Sequence, residues 1–200
     1  SDDFSSSVPN RYMSLNFGSP ASLTVTGGVA RYSSASSSSN GATAAWLPNL
    51  PLPLSSSWEV SADVFMPSGW STPYAGAGIT LLPYTSNGTV ETVMANRLNF
   101  KLARDTEDTT VNGNYFNLAI YSNDTEMSPR NATNTTATAA NLRLVYSAAA
   151  KTLTALVRTN PSSAWTQLGS AQNLNPATAG SLAQAWGLTT NSSLQLAFWG

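Results

Sequence analysis

NRLNFKLARDTEDTTVNGNYFNLAIYSN, residues 96–123, is the stretch whose reading decides the fold. Leu98, Phe100 and Leu102 alternate with Arg97, Asn99 and Lys101, and further on Phe116, Leu118 and Ile120 alternate with Tyr115, Asn117, Ala119 and Tyr121. Successive side chains of a strand point to opposite faces, so a period of two predicts two half-buried strands. The segment between them, Asp105–Asn114, is rich in Asp, Glu, Thr and Asn-Gly and reads as a polar turn. One face of the hairpin is therefore apolar, and the other carries Arg, Asn, Lys and Tyr. Charged residues make up only 10% of the chain, yet Arg97, Lys101, Arg104, Asp105, Glu107 and Asp108 crowd into this stretch.

Outward from the hairpin, the same alternation recurs. Ser57–Met66 places Trp58, Val60, Ala62 and Val64 on one side and Glu59, Ser61 and Asp63 on the other. Asn141–Thr159 reads as a long hairpin, with Leu142, Leu144 and Tyr146 outbound and Leu153, Ala155 and Val157 on the return. Val8–Leu15, Ser22–Thr26, Val29–Tyr32, Ala44–Leu47, Gly78–Tyr84, Val90–Met94 and Ser193–Trp199 are further short strands, and Trp165–Leu168 extends the long hairpin. Pro48, Pro51 and Pro53 are expected to forbid regular pairing through PNLPLPL. Ser33–Gly41, Ser68–Ala77 and Asn123–Ala140 read as loops. Pro176–Trp186, stopped by Gly187, is the one helical candidate, since Pro suits a first turn and Gly a C-terminus. The expectation is an all-β chain: a single domain over 1–200, an antiparallel two-sheet β-sandwich of jelly-roll type, with at most one short helix. Trp58, Trp186 and Trp199 belong to apolar patterns and are expected in the core, while Trp46 and Trp165 are undecided.

Composition narrows the function. With 42% hydrophobic residues among 200, the chain can bury a core. A net charge of −1 without charged blocks gives no reason to expect nucleic acid or membrane insertion. Cysteine and histidine are both absent, which excludes disulfides, thiolate or imidazole metal sites and any catalytic triad or base that uses histidine. Lysine occurs only at 101 and 151, and Ser, Thr, Asn, Ala and Gly dominate. That balance is common among secreted bacterial proteins, so the expected location is extracellular or on a cell surface. Sequons at Asn87, Asn123, Asn131, Asn134 and Asn191 are of the number that chance yields in such a composition.

The opening DDF, the mid-chain SWEVSADVFMP, the hairpin LRLVYSAAAKTLTALV and the closing SLQLAFWG together resemble the concanavalin A-like lectin and glucanase superfamily, including laminin G-like domains and carbohydrate-binding modules. The resemblance is one of strand pattern along the whole chain. It implies two curved antiparallel sheets with first and last strands adjacent, and ligands on the concave sheet or its rim loops. It also implies sugar binding in many members, glycan cleavage in some, and a structural calcium in many.

If the strands at 57–66, 97–104 and 115–122 are neighbours, Glu59, Ser61, Asp63, Arg97, Asn99, Lys101, Tyr115, Asn117 and Tyr121 share one surface. Sugar hydroxyls call for paired donors and acceptors, and pyranose faces pack on flat aromatics. The alternative is an ordinary solvated face. Trp70 and Tyr74, held in a Gly/Pro loop, suit stacking at the rim, or else plug the end of the sandwich. Asp2 and Asp3 offer oxygens for calcium, or form a solvated terminus, and Asp105, Glu107 and Asp108 offer a second oxygen cluster. Glu59 and Asp63 lie about 13 Å apart along one strand, too far to act together as a glycosidase pair.

The first expectation is thus a non-catalytic, lectin-like carbohydrate-binding module of a larger multidomain secreted protein, with a polysaccharide or glycan as partner. Arg97 and Lys101 hint at an acidic or sulfated sugar, offset by Glu59 and Asp63. The alternatives are a structural or adhesive surface domain without a small ligand, and a polysaccharide-cleaving lyase or glycoside hydrolase, with Tyr115 or Tyr121 beside Arg97 and Lys101.

Overall fold

A computed structural model describes residues 12–17, 21–26, 29–34, 43–48, 51–66, 74–84, 95–105, 113–127 and 130–199, with side chains from residue 51 onward apart from Tyr74 and Trp199. Its strands are β1 (Tyr12–Phe17), β2 (Ala21–Thr26), β3 (Val29–Ser34), β4 (Thr43–Pro48), β5 (Leu52–Pro53), β6 (Trp58–Phe65), β7 (Tyr74–Pro83), β8 (Arg97–Asp105), β9 (Gly113–Ser122), β10 (Thr125–Glu126), β11 (Asn131–Thr135), β12 (Ala139–Ser147), β13 (Thr152–Arg158), β14 (Thr166–Gln167), β15 (Gln172–Asn173) and β16 (Ser193–Trp199).

Two antiparallel sheets face each other. The larger runs β1-β4-β16-β7-β8-β9-β10, with β11 also on β9 and β5 on β16, and the smaller runs β14-β13-β12-β6 with β15 on β13. A separate hairpin joins β2 to β3. Between the sheets lies the core. Leu98, Phe100 and Leu102 of β8 and Phe116, Leu118 and Ile120 of β9 enter it from one side; Leu142, Leu144 and Tyr146 of β12 and Leu153, Ala155 and Val157 of β13 enter from the other. These are the apolar halves of the alternating patterns, so the period of two is what builds the sandwich. Tyr146 brings its polar tip into the core and donates to the Leu54 carbonyl at 3.0 Å. Its ring packs tilted against Trp58, with centroids 5.3 Å apart.

Several expectations are corrected. Residues 57–66 are not neighbours of the central hairpin: β6 pairs with β12 in the smaller sheet. First and last strands share a sheet but are not adjacent, because β4 stands between β1 and β16. The span 123–140 is not wholly loop, since β10 and β11 pair with β9. The prolines do not stop pairing altogether, as Leu52 and Pro53 make a short pairing with β16. The helix, α1 (Leu182–Ala185), is a single turn. It begins after Ser181, whose side chain accepts from the Gln184 amide at 3.1 Å, so the capping serine, not Pro176, sets its start. Gly187, at φ +66°, ends it as expected.

The β9–β10 turn explains its own residue types. Asn123 and Asp124 adopt φ of 50° and 60° between the paired Ser122 and Thr125. Asn and Asp are the non-glycine residues that best tolerate that region.

Candidate functional site

The larger sheet turns one face to the core and one away from it. On that outer face the register builds three rows: Thr80, Asn99 and Ala119; Gly78, Lys101 and Asn117; Gly76, Ala103 and Tyr115. A solvated face would leave these residues open, yet Lys101 is 7% exposed, Asn117 3% and Tyr115 0%, and Thr80, Ala103 and Ala119 are buried as well. The second sheet lies on the opposite side, so the chain itself covers this outer face.

Burying an ammonium and an amide has consequences. The Lys101 pKa falls from 10.5 to about 8, chiefly because burial penalises the charged form; the Arg130 guanidinium lowers it further and the Asp105 carboxylate opposes both. Asn99 and Asn117 differ in how they are satisfied. The Thr80 hydroxyl donates to Asn99 Oδ1 at 2.8 Å. The buried Asn117 Oδ1 has no hydrogen-bond partner among the described residues.

At the far end of the face, one row beyond Asn99, Arg97 sits opposite Tyr121. The guanidinium carbon lies 4.0 Å from the centre of the Tyr121 ring. Arg97 also pairs with Asp124 at 2.5 Å, and Asp124 reaches out of the β9–β10 turn with 71% of its side chain exposed. The helix braces this corner from behind: Trp186 Nε1 donates to the Tyr121 carbonyl at 2.8 Å and the Ser122 hydroxyl to the Ala185 carbonyl at 3.1 Å. The corner is thus a fixed stack of cation on ring, open to solvent on one side.

Glu59 and Asp63 are elsewhere. They lie on the exposed face of the smaller sheet, where Arg143 bonds Glu59 and Asn141 bonds Asp63. Arg158 Nε donates to Asn141 Oδ1 at 2.9 Å and its guanidinium lies 4.4 Å from the Trp165 ring centre. The single surface expected to join Glu59 and Asp63 with Arg97, Asn99, Lys101, Tyr115, Asn117 and Tyr121 is therefore split between sheets. The opposing charges expected to offset Lys101 sit on the wrong side of the molecule to do so.

Asp124 and Thr80 join the outer face, and Arg130 acts on Lys101 through its charge, without having been singled out in the sequence. The Asn-Asp dipeptide directly after a strand was a usable turn signal for Asp124. Arg130 carried none, because its segment read as loop. Trp70, the Tyr74 side chain, Asp2, Asp3, Glu107 and Asp108 lie outside the described residues. Among the described residues no group of three or more acidic side chains could hold a metal ion. The buried centre of the outer face does not fit a divalent cation either, since Lys101 and Arg130 would repel it.

No protein-family model matches the chain, and no curated protein matches it by sequence. Solved structures do. A lectin UEA-II complexed with galactose superposes with a TM-score of 0.57 at 16% identity, covering 99% of this chain and 88% of that one. The metal-free form of the Emp46p carbohydrate recognition domain gives 0.55 at 8% identity over 100% and 86%. Peanut lectin with a nine-residue peptide gives 0.53 at 14% identity over 94% and 90%. At such identities the likeness is one of fold: the chain has the concanavalin A-like jelly roll of the legume lectins.

Proposed function

We propose that this chain is a non-catalytic, lectin-like carbohydrate-binding domain of a larger secreted or cell-surface protein, and that it holds a polysaccharide at the open corner of the larger sheet, around Arg97 and Tyr121. The observation that carries the reading is the open corner: a tyrosine ring held by a guanidinium, flanked by a carboxylate, on a fold shared with sugar-binding lectins. A flat ring offers area to a pyranose face at low entropy cost, and Arg97 and Asp124 offer donors and acceptors beside it. Asn99 lies one row inward. Trp70 and Tyr74 add stacking, and Asp2 and Asp3 hold a structural calcium.

Binding of a polysaccharide panel by calorimetry tests this. Tyr121→Ala and Arg97→Ala each weaken binding about ten-fold or more, the value of one good contact at about 1.4 kcal/mol. Equal affinity of both variants and the wild type would remove the corner from the site; no binding at all would remove the reading. The second reading, a structural or adhesive domain, draws on the interlocked side chains of the smaller sheet, where Asp63, Asn141 and Arg158 satisfy one another.

A further inference from the structure

We infer that the exposed face of the smaller sheet is a second saccharide platform, centred on Trp165 and Phe65, which takes a neutral polysaccharide chain and makes a single domain bivalent. This rests on the carbohydrate reading above but uses none of the residues of the open corner. In the register of β6, β12 and β13, one row of side chains crosses this face: Asp63, Asn141 and Arg158. Asn141 donates to Asp63 and accepts from Arg158 Nε, and Arg158 Nη1 donates to the Pro161 carbonyl at 2.7 Å. Trp165, directly before β14, ends the row. The guanidinium carbons of Arg158 and Arg143 lie 4.4 and 5.2 Å from its ring centre. Both arginines come from β12 and β13, which stand on one side of β14. They hold the ring from that side, and the half-buried ring keeps open surface away from them. At the opposite edge of the sheet, Phe65 follows Asp63 by two positions, shares its face and is 64% exposed.

Chemistry selects the occupant. The guanidiniums of Arg143 and Arg158 are matched on this face by the carboxylates of Glu59 and Asp63, and Arg143 is paired with Glu59. No net charge is left to draw an acidic or a basic polymer. Two flat aromatic surfaces remain, with carboxylate and guanidinium groups between them, which suits the apolar faces and the hydroxyls of sugar rings. Asp63, Asn141 and Arg158 are already fixed by one another, so little side-chain entropy is lost when a ligand orders them. A second copy of this chain would need an apolar centre to its interface, whereas β6 turns Glu59, Ser61 and Asp63 outward ahead of Phe65. From β6 to β14 is about 14 Å, three strand spacings, so the ligand that touches both rings is a chain and not one sugar. The corner at Arg97 and Tyr121 belongs to the other sheet. Two sites on different sheets let one domain join two polysaccharide chains.

The test mixes the whole domain with soluble neutral polysaccharides, a mixed-linkage glucan, a galactomannan and an arabinan, followed by calorimetry with oligosaccharides cut from the one that binds. Wild type, Trp165→Ala, Trp165→Phe, Phe65→Ala and Tyr121→Ala are compared, with turbidity, melting temperature and light scattering recorded. The expected result is a turbid mixture and two oligosaccharides per wild-type chain. Trp165→Ala and Tyr121→Ala each leave one and abolish the turbidity, Trp165→Phe restores both, and Phe65→Ala weakens the platform about five-fold. A single wild-type site, lost in Tyr121→Ala and kept in Trp165→Ala and Phe65→Ala, overturns the platform and leaves the carbohydrate reading standing. Self-association without sugar that Phe65→Ala abolishes makes the face a contact between copies, and also overturns it. A wild-type domain that binds no saccharide overturns the carbohydrate reading itself and the platform with it.

Discussion

Lys101 is the residue at which the fold works against itself. Its folded pKa of about 8 lies below the ordinary 10.5, so the protonated form is the one the folded state disfavours. The unfolded chain binds the extra proton, and stability therefore rises with pH between about 8 and 10.5. The penalty is full below pH 8 and amounts to about 3 kcal/mol for a gap of that size. Two charged groups set its depth, Arg130 against the ammonium and Asp105 for it. Lys101→Met removes the charge and keeps the unbranched stem. The expected outcome is a variant more stable than wild type at pH 7, without the rise in stability between pH 8 and 10.5, measured by urea denaturation across that range. A side chain kept for packing alone would instead lose stability on replacement.

At the scale of elements, the β7–β8 pair depends on Gly78. A methyl group there would come within 2.2 Å of the Phe100 carbonyl oxygen and 2.7 Å of Lys101 Cα. Gly78→Ala should cost about 1–3 kcal/mol by overpacking, read as a lower denaturation midpoint. It should also displace the Lys101 row, which Gly113→Ala, with nothing near the added methyl, would not do through contact. This dependence was not visible in the sequence, where Gly78 read only as the start of an apolar strand. The hairpin itself was visible, because Leu98, Phe100, Leu102, Phe116, Leu118 and Ile120 all keep the period of two. The burial of Lys101, Tyr115 and Asn117 was not, since alternation says which face a residue takes and nothing about what covers that face. Likewise Glu59 and Asp63 were rightly put on the polar side of their strand but on the wrong sheet. Strand order depends on long-range pairing with β12, and local pattern carries no record of it.

For the whole molecule, the question is whether a cation holds the sandwich, the sugar, or both. Calcium is proposed at Asp2 and Asp3, whereas Lys101 and Arg130 oppose a divalent cation at the centre of the outer face. The two effects should then separate. A ligand present at a hundred times its dissociation constant stabilises the folded state by about 2.7 kcal/mol. Calcium should accordingly raise the melting temperature of the wild type by several degrees, and the rise should vanish in the Asp2→Ala, Asp3→Ala double variant. Saccharide affinity, measured by calorimetry with calcium or with EDTA, should stay the same within two-fold in both proteins at a temperature where both are folded. Affinity that fell with chelation in step with stability would mean that cation and sugar share one site.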